Sequence, residues 1–179
     1  CRAMPQLGSP VSVYGISKLA GELFAQACCP RTLIVRTSGL YGPAGRKQKG
    51  GRGHFVETIL ARARSGQELR GVSDQITAPT ACREVAEAIG RLLDARATGI
   101  VHVTNAGACS WFEFAQAVLE LSHVRATVTA ISTDSLQLPA QRPRYSVLDN
   151  ARMRALQLPP LRDWRAALAE YLAEYGAAD

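Results

Sequence analysis

Short apolar runs rich in β-branched residues alternate along this chain with longer segments whose apolar residues recur at helical spacing. "RTLIVRTSGLYG" reads as a buried strand broken by Gly39, Gly42 and Pro43, and "QELRGVSDQITAPT" as a short strand followed by a turn. "IVHVTN" and "ATVTAIS" complete the strands, and "LPAQRPRYSVLDN" is irregular. Between them "HFVETILARARSG", "ACREVAEAIGRLLDARATG" and "AGACSWFEFAQAVLELSH" read as helices, with "LRDWRAALAEYLAEYG" as a terminal one. Val85, Ala86, Ile89, Leu92 and Leu93 carry core spacing, and Ser110 with Glu113 forms a capping box. This alternation predicts an α/β fold with a largely parallel sheet, because parallel strands need a crossover long enough to hold a helix. A length of 179 residues suits one domain with a sizeable core.

The segment "VSVYGISKLAGELFAQACCP" predicts a further helix, capped by Ser12 and stopped by Pro30. Ile16, Leu19, Ala20, Leu23, Phe24 and Ala27 gather on one side and are expected to be buried. Tyr14 and Lys18 fall on the opposite side, where Gly21 and Ala25 leave room for another surface to approach. The residue pattern alone allows an ordinary solvated face or a catalytic pair. A phenol titrates near 10 when unperturbed, and a lysine one turn away supplies the charge that lowers it.

Composition narrows the partners. No apolar run approaches the roughly 20 residues of a membrane span, so no membrane association is expected, and no signal peptide is visible. Cys1, Cys28, Cys29, Cys82 and Cys109 show neither metal-ligand spacing nor an even-numbered framework. They suit a reducing, cytoplasmic compartment and predict no metal site. The net charge of +6 favours anionic partners. The basic loop Arg46, Lys47, Lys49 and Arg52 lacks interleaved aromatics, which favours a nucleotide diphosphate over nucleic acid. No strand leads into a glycine-rich turn of the dinucleotide-binding type. With "CRAMPQLGSP" reading as loop, the chain is expected to begin inside a larger protein.

"YGISKLAGE", "RTSGLYG", "DQITAPT" and "RPRYSVLD" follow one another in this order, and together they resemble the dTDP-4-dehydrorhamnose reductase family of extended short-chain dehydrogenases/reductases. The resemblance runs from about Ser9 onward. It implies the carboxyl-terminal part of a Rossmann-like parallel-sheet domain with a small mixed α/β substrate-binding domain. Residues 1–179 would form one partial unit lacking the amino-terminal dinucleotide-binding half and its catalytic Ser or Thr.

The implied reaction is NADPH- or NADH-dependent reduction of the C4 keto group of a dTDP-4-keto-6-deoxy sugar. By resemblance Tyr14 is the proton donor and Lys18 its activator, and Tyr14, Lys18 and Thr37 contact the cofactor. Arg36, Ser38, Gly39, Arg142 and Ser146 contact the substrate by the same resemblance. Arg36 has an alternative as a structural ion-pair partner, Asp74 as a turn residue, and Glu22 as a surface charge. Gly39 stands where the family often has tryptophan, Thr77 where it has glycine, and His54 where it has asparagine. The resemblance leaves room for a homodimer. It also leaves two other functions open: a non-catalytic regulatory subunit, like the beta subunit of methionine adenosyltransferase, and an epimerase or dehydratase of the same superfamily.

Overall fold

A computed structural model of the protein describes residues 12–43, 53–136 and 142–176. The opening loop with Cys1, the basic loop from Arg46 to Arg52 and the start of the irregular segment lie outside the described residues. Helix α1 (Val13–Cys28) leads into strand β1 (Leu33–Arg36), followed by β2 (Leu40–Tyr41), α2 (Phe55–Arg64) and β3 (Leu69–Val72). Two short strands, β4 (Ile76–Thr77) and β5 (Thr80–Ala81), precede α3 (Cys82–Asp94) and β6 (Gly99–His102). Then come β7 (Cys109–Ser110), α4 (Trp111–Leu121), β8 (Val128–Ile131), a 3-10 turn (Thr133–Leu136), α5 (Ala151–Ala155) and α6 (Trp164–Tyr175).

The strands pair two by two. β1 runs parallel to β6, β2 to β5 and β3 to β8, so the predicted α/β class with parallel pairing is what the chain adopts. β4 with β7 is antiparallel; β4 sits inside what reads in sequence as a plain turn, and β7 at the start of what reads as a helix. The paired residues lie over thirty positions apart, beyond the reach of any local pattern.

Two cores result. Val85, Ala88 and Leu92 on α3 pack with Val101 and Val103 against Met153 and Leu161. Leu93 and Ala86, expected inside, are exposed because the packed stripe of α3 runs through 85, 88 and 92. The larger core is aromatic at its centre: Phe114 of α4 stacks on Phe55 at 5.4 Å and meets Tyr41 and Trp164, each at 5.8 Å. α4 begins with the expected capping box, Ser110 accepting from the Glu113 N–H at 3.1 Å. Gly71 lets β3 lie directly on α4, since a Cβ there would come within 2.6 Å of the Phe112 Cα.

The first helix departs from expectation. α1 spans the predicted residues with Ser12 as its cap, yet no residue of it is buried. Ile16 and Phe24, placed by periodicity on the buried stripe, are 55% and 72% exposed. Among the described residues no layer covers that stripe.

Candidate active site

Tyr14 and Lys18 lie one turn apart on α1, both exposed, with the Lys18 Nζ 5.2 Å from the centroid of the Tyr14 ring. Ser12 accepts a hydrogen bond from the Gly15 N–H at 3.2 Å, so Tyr14 stands in the first helical turn.

The end of β1 supplies the neighbouring candidates. Glu22, one turn beyond Lys18, grips Arg36 bidentately: Arg36 Nε donates to Oε1 at 2.8 Å and Nη2 to Oε2 at 2.6 Å. Both groups are partly buried, and the carboxylate raises the guanidinium pKa further. Of the two roles the residue pattern allowed for Arg36, the structure displays the ion pair. Thr37 follows with its hydroxyl oxygen buried and, among the described residues, unpartnered. Ser38 shares a hydrogen bond with the Thr77 hydroxyl at 2.9 Å.

Gly39 has φ +56, and a Cβ there would sit 3.0 Å from both the Ala78 carbonyl oxygen and the Pro79 Cα. This backbone excludes the family's tryptophan unless it moves. Thr77 is buried on the adjoining segment.

The later motifs hold the chain together. Asp74 accepts from the Thr133 N–H at 2.8 Å and the Thr133 hydroxyl at 2.7 Å, and these bonds lower its pKa. Buried Gln75 donates to the same hydroxyl at 3.0 Å. Asp74 thus acts as the turn residue that the alternative reading described. Ser146 donates both its N–H, at 2.9 Å, and its hydroxyl, at 3.2 Å, to the Ile76 carbonyl, which fastens the late motif beside β4. Arg142 is exposed. His54 caps α2 and bonds the Tyr171 hydroxyl at 3.0 Å, while His102 meets the Asp149 carbonyl at 3.1 Å.

One buried polar centre went unread in the sequence. Asn105 accepts from the Ala81 N–H at 2.9 Å and donates to Glu84 at 2.7 Å and to the Arg162 carbonyl at 3.0 Å. Glu84 in turn pairs with the Arg162 guanidinium. The signal was present: along the strand and beyond it, 101, 103 and 105 share a buried face, and the third is polar.

Beside this centre a cleft of about 450 Å³ is lined by Tyr41, Cys82, Arg83, Arg162, Tyr171 and Tyr175, among others. None of Tyr14, Lys18 or Thr37 lines it. The Tyr41 hydroxyl is buried without a partner among the described residues, and burial pushes its pKa well above the usual phenol range. Tyr41→Phe is therefore expected to raise unfolding free energy by about 1 kcal/mol, since it removes an unsatisfied polar group and little packing. Urea denaturation checks this; a loss of stability would mean that the hydroxyl has a partner.

Cys109 is equally sealed, its thiol pushed up to about 12 chiefly by burial, whereas Cys28, Cys29 and Cys82 are exposed. No group of three potential metal ligands occurs among the described residues. Nor is any described helix long and apolar enough to cross a membrane.

Residues 5–177 match the family described as RmlD substrate binding domain. The chain belongs to that family. The spore coat polysaccharide biosynthesis protein SpsK of Bacillus subtilis is 40% identical over 169 residues, covering 94% of this chain and 56% of that protein. A probable dTDP-4,6-dihydroxy-2-methyloxan-3-one 4-ketoreductase of Streptomyces antibioticus is 37% identical over 179 residues, covering 96% and 56%. In three dimensions the chain is similar to dTDP-4-dehydrorhamnose reductase of Bacillus anthracis, solved in complex with NADP. That match has a TM-score of 0.84 at 32% identity and covers 93% of this chain and 57% of the other. The chain thus spans little more than half the length of the relatives it matches.

Proposed function

We propose that these residues form the carboxyl-terminal, substrate-binding portion of a cytoplasmic reductase. It uses NADPH or NADH to reduce the C4 keto group of a dTDP-linked 4-keto-6-deoxy sugar, dTDP-4-dehydrorhamnose being the first candidate. The observation that carries the reading is the pairing of Tyr14 with Lys18 on an exposed helical face beside Glu22–Arg36 and Thr37, in a chain of the RmlD substrate binding domain family.

The residues present suit a nicotinamide cofactor: the Tyr14–Lys18 face is open, and the buried Thr37 hydroxyl lacks a partner among the described residues. Bound cofactor supplies the hydride for the carbonyl carbon. Tyr14 gives its proton to the carbonyl oxygen as charge develops there. Lys18 stabilises the phenolate left behind and donates to ribose hydroxyls of the cofactor. Thr37 adds a hydroxyl at the end of β1, and Ser38, Gly39, Arg142 and Ser146 belong to the sugar-nucleotide side. A guanidinium suits a diphosphate because its planar fork matches phosphate oxygens in pairs.

The name of the Streptomyces relative describes a different keto sugar, and the residues at positions 39 and 77 bear on the same choice. The test is NADPH oxidation by the full-length protein with dTDP-4-dehydrorhamnose and with its 2-deoxy counterpart. Turnover of either supports the reading, and the faster one names the sugar. No turnover with both, in a protein that binds NADPH, favours the regulatory-subunit alternative. The 179 residues alone are expected to show no turnover.

A further inference from the structure

Among the described residues α1 is joined to the rest of the fold by polar contacts at its middle and at its far end. At its far end, Thr32 donates to the Ala25 carbonyl at 2.9 Å and to the Cys29 carbonyl at 2.6 Å, which ties down only the last turn. In its middle the helix is joined to the end of β1 by the ion pair of Glu22 with Arg36. Two parallel charge-assisted bonds fix orientation as well as separation. The anchor on the other side is firm, because the Arg36 carbonyl accepts the Val103 N–H at 2.9 Å from the neighbouring parallel strand.

Tyr14, Lys18 and Glu22 follow at intervals of four residues, which keeps them within about 80° of one another and spreads them over about 12 Å. From this geometry we infer that the Glu22–Arg36 pair is a positioning device: it sets the rotation of α1 and thereby aims Tyr14 and Lys18 at the site beside the end of β1. The inference rests on the catalytic reading of Tyr14 and Lys18. With side chains reaching about 5–6 Å from the axis, a turn of about 10° displaces the phenol oxygen by about 1 Å. A displacement of that size is enough to cost about 100-fold in rate.

The test uses the full-length protein. Glu22→Ala is expected to lower kcat per folded molecule about 10- to 100-fold and to weaken NADPH binding at the same time. The alkaline limb of the pH–rate profile, on which the proton donor is lost, stays in place, because Tyr14 and Lys18 move together. The conservative variant Glu22→Gln keeps the side-chain length and one oxygen that accepts from the guanidinium, and is expected to lower kcat per folded molecule by only about three- to tenfold. A merely structural ion pair would lower the folded fraction and leave kcat per folded molecule unchanged, and that result in Glu22→Ala overturns the inference. If Glu22→Ala yields no soluble protein, Glu22→Gln decides alone: a loss of kcat per folded molecule of about threefold or more supports the inference, and an unchanged kcat overturns it. A parent without turnover points instead to failure of the catalytic reading, so the two failures are distinguishable.

Discussion

In the full-length protein, Tyr14→Phe lowers kcat by about 10²- to 10⁴-fold, the range over which a positioned general acid contributes. The ring remains, and with it the contact to the Lys18 ammonium at 5.2 Å, so helix α1 and the open face keep their shape. NADPH affinity therefore changes by no more than about threefold, because Lys18 and Thr37 are untouched. Loss of kcat without loss of binding is the signature of an interaction made as the proton moves. Steady-state kinetics with the keto sugar and fluorescence titration with NADPH read the two quantities separately. An unchanged kcat would remove Tyr14 from the chemistry and leave the pair as an ordinary solvated face.

The largest expected loss of stability comes from a residue outside that site. Asn105→Ala costs about 3 kcal/mol, because it strands the Ala81 N–H, the Arg162 carbonyl and one oxygen of the buried Glu84 carboxylate together. For a chain of this length that corresponds to a fall in Tm of about 6–12 °C. The centre is enclosed around Asn105, 2% exposed, with Ala81 and Glu84 each 8% exposed, so water cannot replace the amide cheaply at those two groups. Thermal and chemical denaturation of parent and variant give the difference, and a loss under about 1 kcal/mol would mean that solvent enters the centre. The consequence is structural first, since Asn105 ties the start of α3 to the segment before α6.

Much of the fold was legible along the chain, where a structure follows from neighbours in sequence. The Ser110–Glu113 box, the Ser12 cap and the one-turn spacing of Tyr14 and Lys18 each lie within a few residues, and each is present as read. Alternating strands and helices predicted the parallel pairs because the crossover constraint is itself a property of chain length.

What needed the tertiary structure is everything that depends on a distant partner. Only the folded chain showed that Arg36 pairs with Glu22, fourteen residues away. It likewise joined Ser146 to Ile76, seventy residues apart, and brought Ala81, Glu84 and Arg162 around Asn105. Periodicity in α1 correctly marked an apolar side, but a pattern cannot state what covers it. Sequence determines which surface a helix offers; burial is a relation between two surfaces, and packing alone determines whether the second one is there.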